Sequence, residues 1–280
     1  MHIEPTPSDP SPLSGAVRGL LLAAAVLVFL AGVQLFVFPT RTEDYFAWTV
    51  ASPMTAVFLG ASYWSAVGLE VTAARARGWG GARIAVPTVL VFTTVTLVVT
   101  LVHLDLFHLD ADLDLTTRLV TWGWIAVYVI VPVLMVLAVA AQRGVGFTAP
   151  PPTGLPAVVR GLLLLLALGL LGLGLTLLLS PATGTDLWPW ALTPLTARAV
   201  GAWLVGLGVA AGHAFVLDDR PSLRPLAVTG VLFGLLQAVA LARFGEEVDR
   251  GARGAVYVAA LALLTAISAW ALWPRPDRTL

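Results

Sequence analysis

Arg18-Gly19-Leu20-Leu21-Leu22 recurs as Arg160-Gly161-Leu162-Leu163-Leu164, 142 positions later. The same offset joins Pro39 to Pro181, Asp44 to Asp186 and Trp48 to Trp190. One residue is then lost, and an offset of 141 pairs Thr55 with Thr196, Gly60 with Gly201, Arg83 with Arg224 and Phe92 with Phe233. A register held over this distance implies two copies of one unit. Both copies are written in apolar residues, so the repeated unit is a membrane unit.

Composition agrees. Of the 280 residues, 58% are hydrophobic and 11% charged, and mean hydropathy is +0.90. A soluble domain is about half apolar and about a quarter charged, because its surface needs charge to stay dispersed. Formal net charge is zero, so no whole-chain attraction to nucleic acid is expected. The absence of Cys excludes disulfides, thiolate metal sites and Cys nucleophiles. No phosphate-cradling loop, dinucleotide fingerprint, zincin motif or nucleophile elbow is present.

A helix needs about 20 apolar residues to cross the hydrocarbon core. Eight segments meet this requirement, near 16–38, 53–74, 84–103, 119–141, 159–180, 195–217, 225–243 and 254–273. The fold expected is an all-α polytopic membrane protein of eight transmembrane helices, arranged as two parallel four-helix repeats. Its divisions are a Pro- and Ser-rich disordered tail (1–15), repeat 1 (16–142), a cytoplasmic linker (143–158) with Pro150-Pro151-Pro152, repeat 2 (159–273) and a C-terminal tail (274–280). The first apolar run exceeds the roughly 7–15 residues of a signal-peptide core and reads as a retained helix. With the N-terminus inside, ten Arg fall on the cytoplasmic side and six outside. Arg bias therefore places both termini in the cytoplasm of an inner (plasma) membrane. An even number of spans per copy sets the pseudo-two-fold axis along the membrane normal.

The copies keep an aromatic segment between their first two helices. Tyr45-Phe46-Ala47-Trp48 in one answers Leu187-Trp188-Pro189-Trp190 in the other, and Ser52-Pro53 and Thr193-Pro194 then cap a new helix. These tryptophans suit an aromatic belt at headgroup level or the roof of an outward pocket that includes Asp44 and Asp186. Gly60-Ala61 and Gly201-Ala202 let their helices approach neighbours closely, which nominates the second helix of each copy for the centre of the bundle.

Divergence marks where one copy specialised. His103-Leu104-Asp105-Leu106-Phe107-His108 has no counterpart with histidine in copy 2. Imidazoles with a carboxylate form a ligand set for a divalent metal, although on a continuous helix His103 and His108 lie about 140° apart. A metal site therefore requires the helix to end near Leu104; an acidic solvated loop is the plainer reading. Within the bilayer, Glu70 and His213 are the ionisable residues on equivalent helices and are candidates to pair. With Trp48, Tyr63, Trp190, Asp44 and Asp186 they make up the candidate ligand-binding set.

Pro53-x-Thr55-Ala56-x-x-x-Gly60-Ala61, His103-x-Asp105-x-Phe107 and Trp122-x-Trp124-x-x-x-Tyr128-x-x-x-Pro132 resemble a group of multi-pass inner-membrane proteins of high-GC bacteria. The likeness covers roughly residues 15–140 and implies no activity. Three functions fit the residues: binding or transport of a small solute, ion or lipophilic ligand; an accessory subunit with a membrane-protein partner or a second copy; and a membrane-embedded metal-dependent enzyme. Apart from the candidate metal, no cofactor is implied. The lipid bilayer is the first partner.

The orientation is open to a direct test, because the chain has no Cys. On intact cells an impermeant thiol reagent is expected to label an Asp112→Cys variant and spare a Gly80→Cys variant. The reverse labelling would invert the topology.

Overall fold

A computed structural model describes residues 9–274, and all regular structure among them is helical apart from one isolated bridge between Pro12 and Gly78. The helices are α1 (Gly15–Gly32, extended by a π-helical turn Val33–Val37), α2 (Thr42–Tyr45), α3 (Pro53–Ala74), α4 (Ala85–Val102), α5 (Leu115–Arg143), α6 (Ala157–Leu179), α7 (Pro181–Leu187), α8 (Pro194–Leu217), α9 (Arg224–Phe244) and α10 (Ala252–Leu272). Seven of the long helices are long and apolar enough to cross a membrane. The exception is α3. It has 22 residues, but Ser62, Ser65 and Glu70 lower its apolarity, and all three are buried inside the bundle.

Caps set the entry of the two central helices. Ser52 Oγ accepts from the Thr55 N–H at 3.1 Å, and Thr193 forms a capping box with Thr196. Each satisfies N–H groups that the first helical turn leaves without partners. Pro follows at the first helical position in both.

The pairing of helices is the same in the two halves. α1 packs on α3 as α6 packs on α8, and α4 packs on α5 as α9 packs on α10. Across the middle, α3 packs on α9 and α8 on α4. Burial follows from this order: 61% of the apolar window of α8 is buried, against 11% of α10. Fine details also correspond. Single 3-10 turns precede α4 (Trp79–Gly81) and α9 (Pro221–Leu223), and others follow them at Leu104–Leu106 and Gly245–Glu247. The His108 N–H donates to the Ala47 carbonyl at 3.0 Å, and the Asp249 N–H to the Pro189 carbonyl at 2.6 Å.

Residues 9–14 correct the expectation of a disordered tail. The Ser11 N–H donates to the Thr148 carbonyl and the Trp79 N–H to the Ser11 carbonyl, both at 2.9 Å. Buried Gln142 donates to the Pro12 carbonyl at 3.0 Å and accepts from the Ser14 N–H at 2.8 Å. Leu13 then packs with Val17, Leu21 and Met135. Backbone partners and an apolar seat fix a segment that composition alone leaves free. Residues 1–8 and 275–280, including Arg275 and Arg278, lie outside the described residues.

Two glycines set the helix spacing. A Cβ on Gly60 would sit 2.6 Å from the Phe36 nitrogen, and one on Gly201 would sit 2.8 Å from the Gly174 carbonyl oxygen. Both obstacles are backbone atoms, so a side chain forces the helices apart. Gly201→Leu is expected to lower unfolding stability in mild detergent by about 1–3 kcal/mol. Gly161→Leu should stay within about 0.5 kcal/mol, since nothing lies within 4 Å of a Cβ there. Equal effects would refute the close contact.

Candidate functional site

The His-Asp-His segment folds with the break that a metal site requires, but its side chains turn elsewhere. α4 stops at Val102, and His103 caps it with φ −120° and ψ 26°. His103 Nε2 lies 2.7 Å from Arg198 Nη1. A guanidinium only donates, so Nε2 accepts and the imidazole is neutral. Arg198 also donates from Nε to the Leu178 carbonyl at 3.0 Å. His108 Nδ1 donates to the Phe46 carbonyl at 2.9 Å, and its Nε2 lies 3.0 Å from Thr49 Oγ1. Asp105 is exposed on the 3-10 turn. Among the described residues no group of three or more His, Asp or Glu could hold a metal ion. The three residues do not fit a divalent cation, because a fixed guanidinium already occupies His103 and the backbone occupies His108. They tie the loop after α4 to α8 and to the aromatic segment.

The aromatic segment is interior, which corrects the belt expectation. Trp48, Trp188 and Trp190 are 3%, 3% and 5% exposed. Trp48 packs on Phe46, Phe107 and Trp124 with ring centroids 4.5–5.2 Å apart. Trp188 and Trp190 pack on Phe58 and Tyr257. The Trp190 indole donates to Thr55 Oγ1 at 2.9 Å. These rings close the bundle at that end as a plug. Asp44 and Asp186 stay outside it: Asp44 pairs with Arg41 at 2.8 Å, and the Asp186 carbonyl accepts from Arg253 at 3.2 Å. Tyr63 lies deeper, its hydroxyl 2.7 Å from that of Tyr128.

Glu70 and His213 are not joined by a hydrogen bond or ion pair among the described residues. Their positions explain this. The residue equivalent to Glu70 on α8 is Ala211, and His213 lies two residues further, about 200° around the helix. Glu70 instead lines a recess between α1, α3, α4, α5 and α8. Ala24, Ala66, Phe92, Tyr128, Val131 and Trp203 are among the residues of its wall, and it spans about 660 Å³ with its open surroundings counted, about 60 Å³ of it as cavity volume. Glu70 is 2% exposed, and its Oε2 has no hydrogen-bond partner. Nearby hydroxyls are committed. Thr88 donates to the Ile84 carbonyl and Thr93 to the Val89 carbonyl, each at 2.8 Å, and Tyr128 is bonded to Tyr63.

A second recess, of about 580 Å³, occupies the corresponding place in the other half. Leu166, Leu170, Leu207, Thr229, Gly230 and Phe233 line it where Ala24, Val28, Ala66, Thr88, Val89 and Phe92 line the first. Ala211 stands in place of Glu70. The expected pairing of Glu70 with His213 gives way to a place beside the recess. In the sequence, Glu70 against Ala211 separates a recess with a carboxyl from one without. Arg198 and Glu247 carry no local sequence signal of their roles. Glu247 caps α3 from the other half, accepting from the Ser52 hydroxyl at 2.6 Å and the Met54 N–H at 3.1 Å.

The contact between His103 and Arg198 has a pH signature. Burial and then the adjacent Arg198 charge hold the His103 imidazole below its ordinary value, with Asp105 opposing them. The native state therefore takes up this proton less readily than the unfolded chain. The contribution is complete above about pH 6.5 and is lost as pH falls through the lowered value. Thermal stability in detergent is expected to fall on acidification below that point, and less steeply in His103→Gln. Identical pH profiles would show that His103 does not sense the guanidinium.

No family model, no curated protein and no solved structure matches this chain, which leaves the chemistry of the recess as the guide to function.

Proposed function

We propose that this chain is an integral membrane protein of two parallel four-helix units that binds, and through binding moves or presents, a small lipophilic ligand in the recess beside Glu70. All eight long helices cross a bacterial inner membrane in this reading, with α3 as the eighth span and both termini in the cytoplasm. Support for the duplicated plan comes from the matched helix pairings, the matched 3-10 turns and the matched recesses. Support for α3 as a span comes from its length and its place between α1 and α9. Its polar residues face protein, where a bilayer tolerates them.

The observation that carries the function is the pair of equivalent recesses, one wholly apolar at residue 211 and one holding a buried carboxyl at residue 70. Ligand sites are concave and mostly apolar, with few polar groups to fix orientation. The first recess has this composition. A polar-solute path would need donors and acceptors that its wall lacks.

Ala66→Leu tests the site by installing at position 66 the residue type of its counterpart, Leu207. The neutral lipophile tert-butylbenzene is expected to raise the stability of the purified wild type, by about 2.7 kcal/mol at a hundredfold excess over Kd, and to stabilise Ala66→Leu less. Absence of stabilisation in the wild type, or equal stabilisation of both, would overturn the reading.

A further inference from the structure

We infer that the recess beside Glu70 selects a small lipophilic organic cation, a protonated amine or quaternary ammonium carried on an apolar or aromatic body. The inference rests on the ligand-binding reading above and gives that ligand a charge.

Glu70 is 2% exposed and Oε2 is without a partner. A carboxylate in an apolar site costs several kcal/mol unless paired. A protonated carboxyl there would have no acceptor at Oε2. Among the described residues around the recess there is no Arg, Lys or His to supply a counter-charge. Thr88 and Thr93 supply no free hydroxyl either, since both bond their own helix. The missing partner must come with the ligand, and a positive group would let the carboxyl stay ionised.

The walls decide which positive species. Calcium requires six to eight oxygen ligands, and magnesium keeps several waters in an octahedral shell. One carboxyl in an apolar recess offers neither. The rings of Phe92, Tyr128 and Trp203 line the same space. Phe92 and Trp203 lie with centroids 4.0 Å apart, and Phe92 and Tyr128 at 6.2 Å. Aromatic faces attract organic cations, and more strongly when water is excluded. An ammonium head beside Glu70 and an apolar body along Ala24, Ala66 and Val131 would satisfy charge and surface together. In the other half Ala211 removes the charge, so that recess has no such preference.

Phenyltrimethylammonium and its neutral isostere tert-butylbenzene separate charge from shape. Binding of each is measured by equilibrium dialysis to the full chain in lipid nanodiscs, for wild type, Glu70→Gln and Ala66→Leu. The expected result is at least a tenfold loss of phenyltrimethylammonium affinity in Glu70→Gln, with tert-butylbenzene binding changed less than twofold. Retained binding of the neutral probe also shows that Glu70→Gln is folded. If both probes bind wild type and Glu70→Gln alike, the cation preference is overturned and the recess stands. If neither probe binds the wild type, or Ala66→Leu weakens neither, the recess itself is refuted and this inference with it.

Discussion

Helices surrounded by lipid gain little from burying one apolar side chain against another, because the acyl chains are as apolar as leucine. What holds them is close packing, and closeness is limited by side-chain bulk. Gly201 against the Gly174 carbonyl and Gly60 against the Phe36 backbone bring α6 to α8 and α1 to α3. Those two contacts leave α3 and α8 deepest in the bundle, each free to reach across to the other half.

The bundle ends are fixed by polar groups. At the end holding the start of α1, Arg18 donates to the Ala74 and Ala76 carbonyls at the C-terminus of α3. The equivalent Arg160 reaches Asp218, just past α8, at 3.4 Å. Arg83 joins the halves there, pairing with Asp219 at 3.0 Å and donating to Ser222. Burial alone would push the Asp219 carboxyl up, but hydrogen bonds from the Ser222 hydroxyl and from Thr153 bring it below the usual carboxylate value. At the opposite end Glu247, Arg198 and Arg243 each cross to another helix or loop, Arg243 donating to the Phe36 carbonyl at 2.6 Å. A carboxylate or guanidinium with several fixed partners is an ordering device, and here it orders the connection between halves.

The two halves match in their helix pairing and differ in particular residues. The segment after α4 carries two histidines that the segment after α9 lacks, and both serve packing of that loop. The difference that adds a charge is a single residue, Glu70 against Ala211, and the first recess also has smaller residues at 24 and 66 and the added rings of Tyr128 and Trp203. A carboxyl without a partner is tolerated only where the surrounding fold over-determines its position. α3 meets that condition, being buried along most of its length.

The apolar segment lengths and the Ser52-Pro53 and Thr193-Pro194 caps made the helices legible, because hydropathy and capping are local properties of the chain. The same is true of Gly60 and Gly201, whose small size forecast the central helices. Where side chains point was not local. Trp48, Trp188 and Trp190 carry the composition of a membrane-surface belt, but the loop folds inward and buries them. His103 and His108 have the composition of a metal site, but Arg198 and the Phe46 carbonyl, distant in sequence, take their nitrogens. Ser11 to Ser14 lack any helical or strand period, and Gln142 fixes them. Glu70 was recognisable as costly from its position in an apolar segment. That it lines a recess and does not meet His213 was decided only by the packing of whole helices, recorded in no short stretch of sequence.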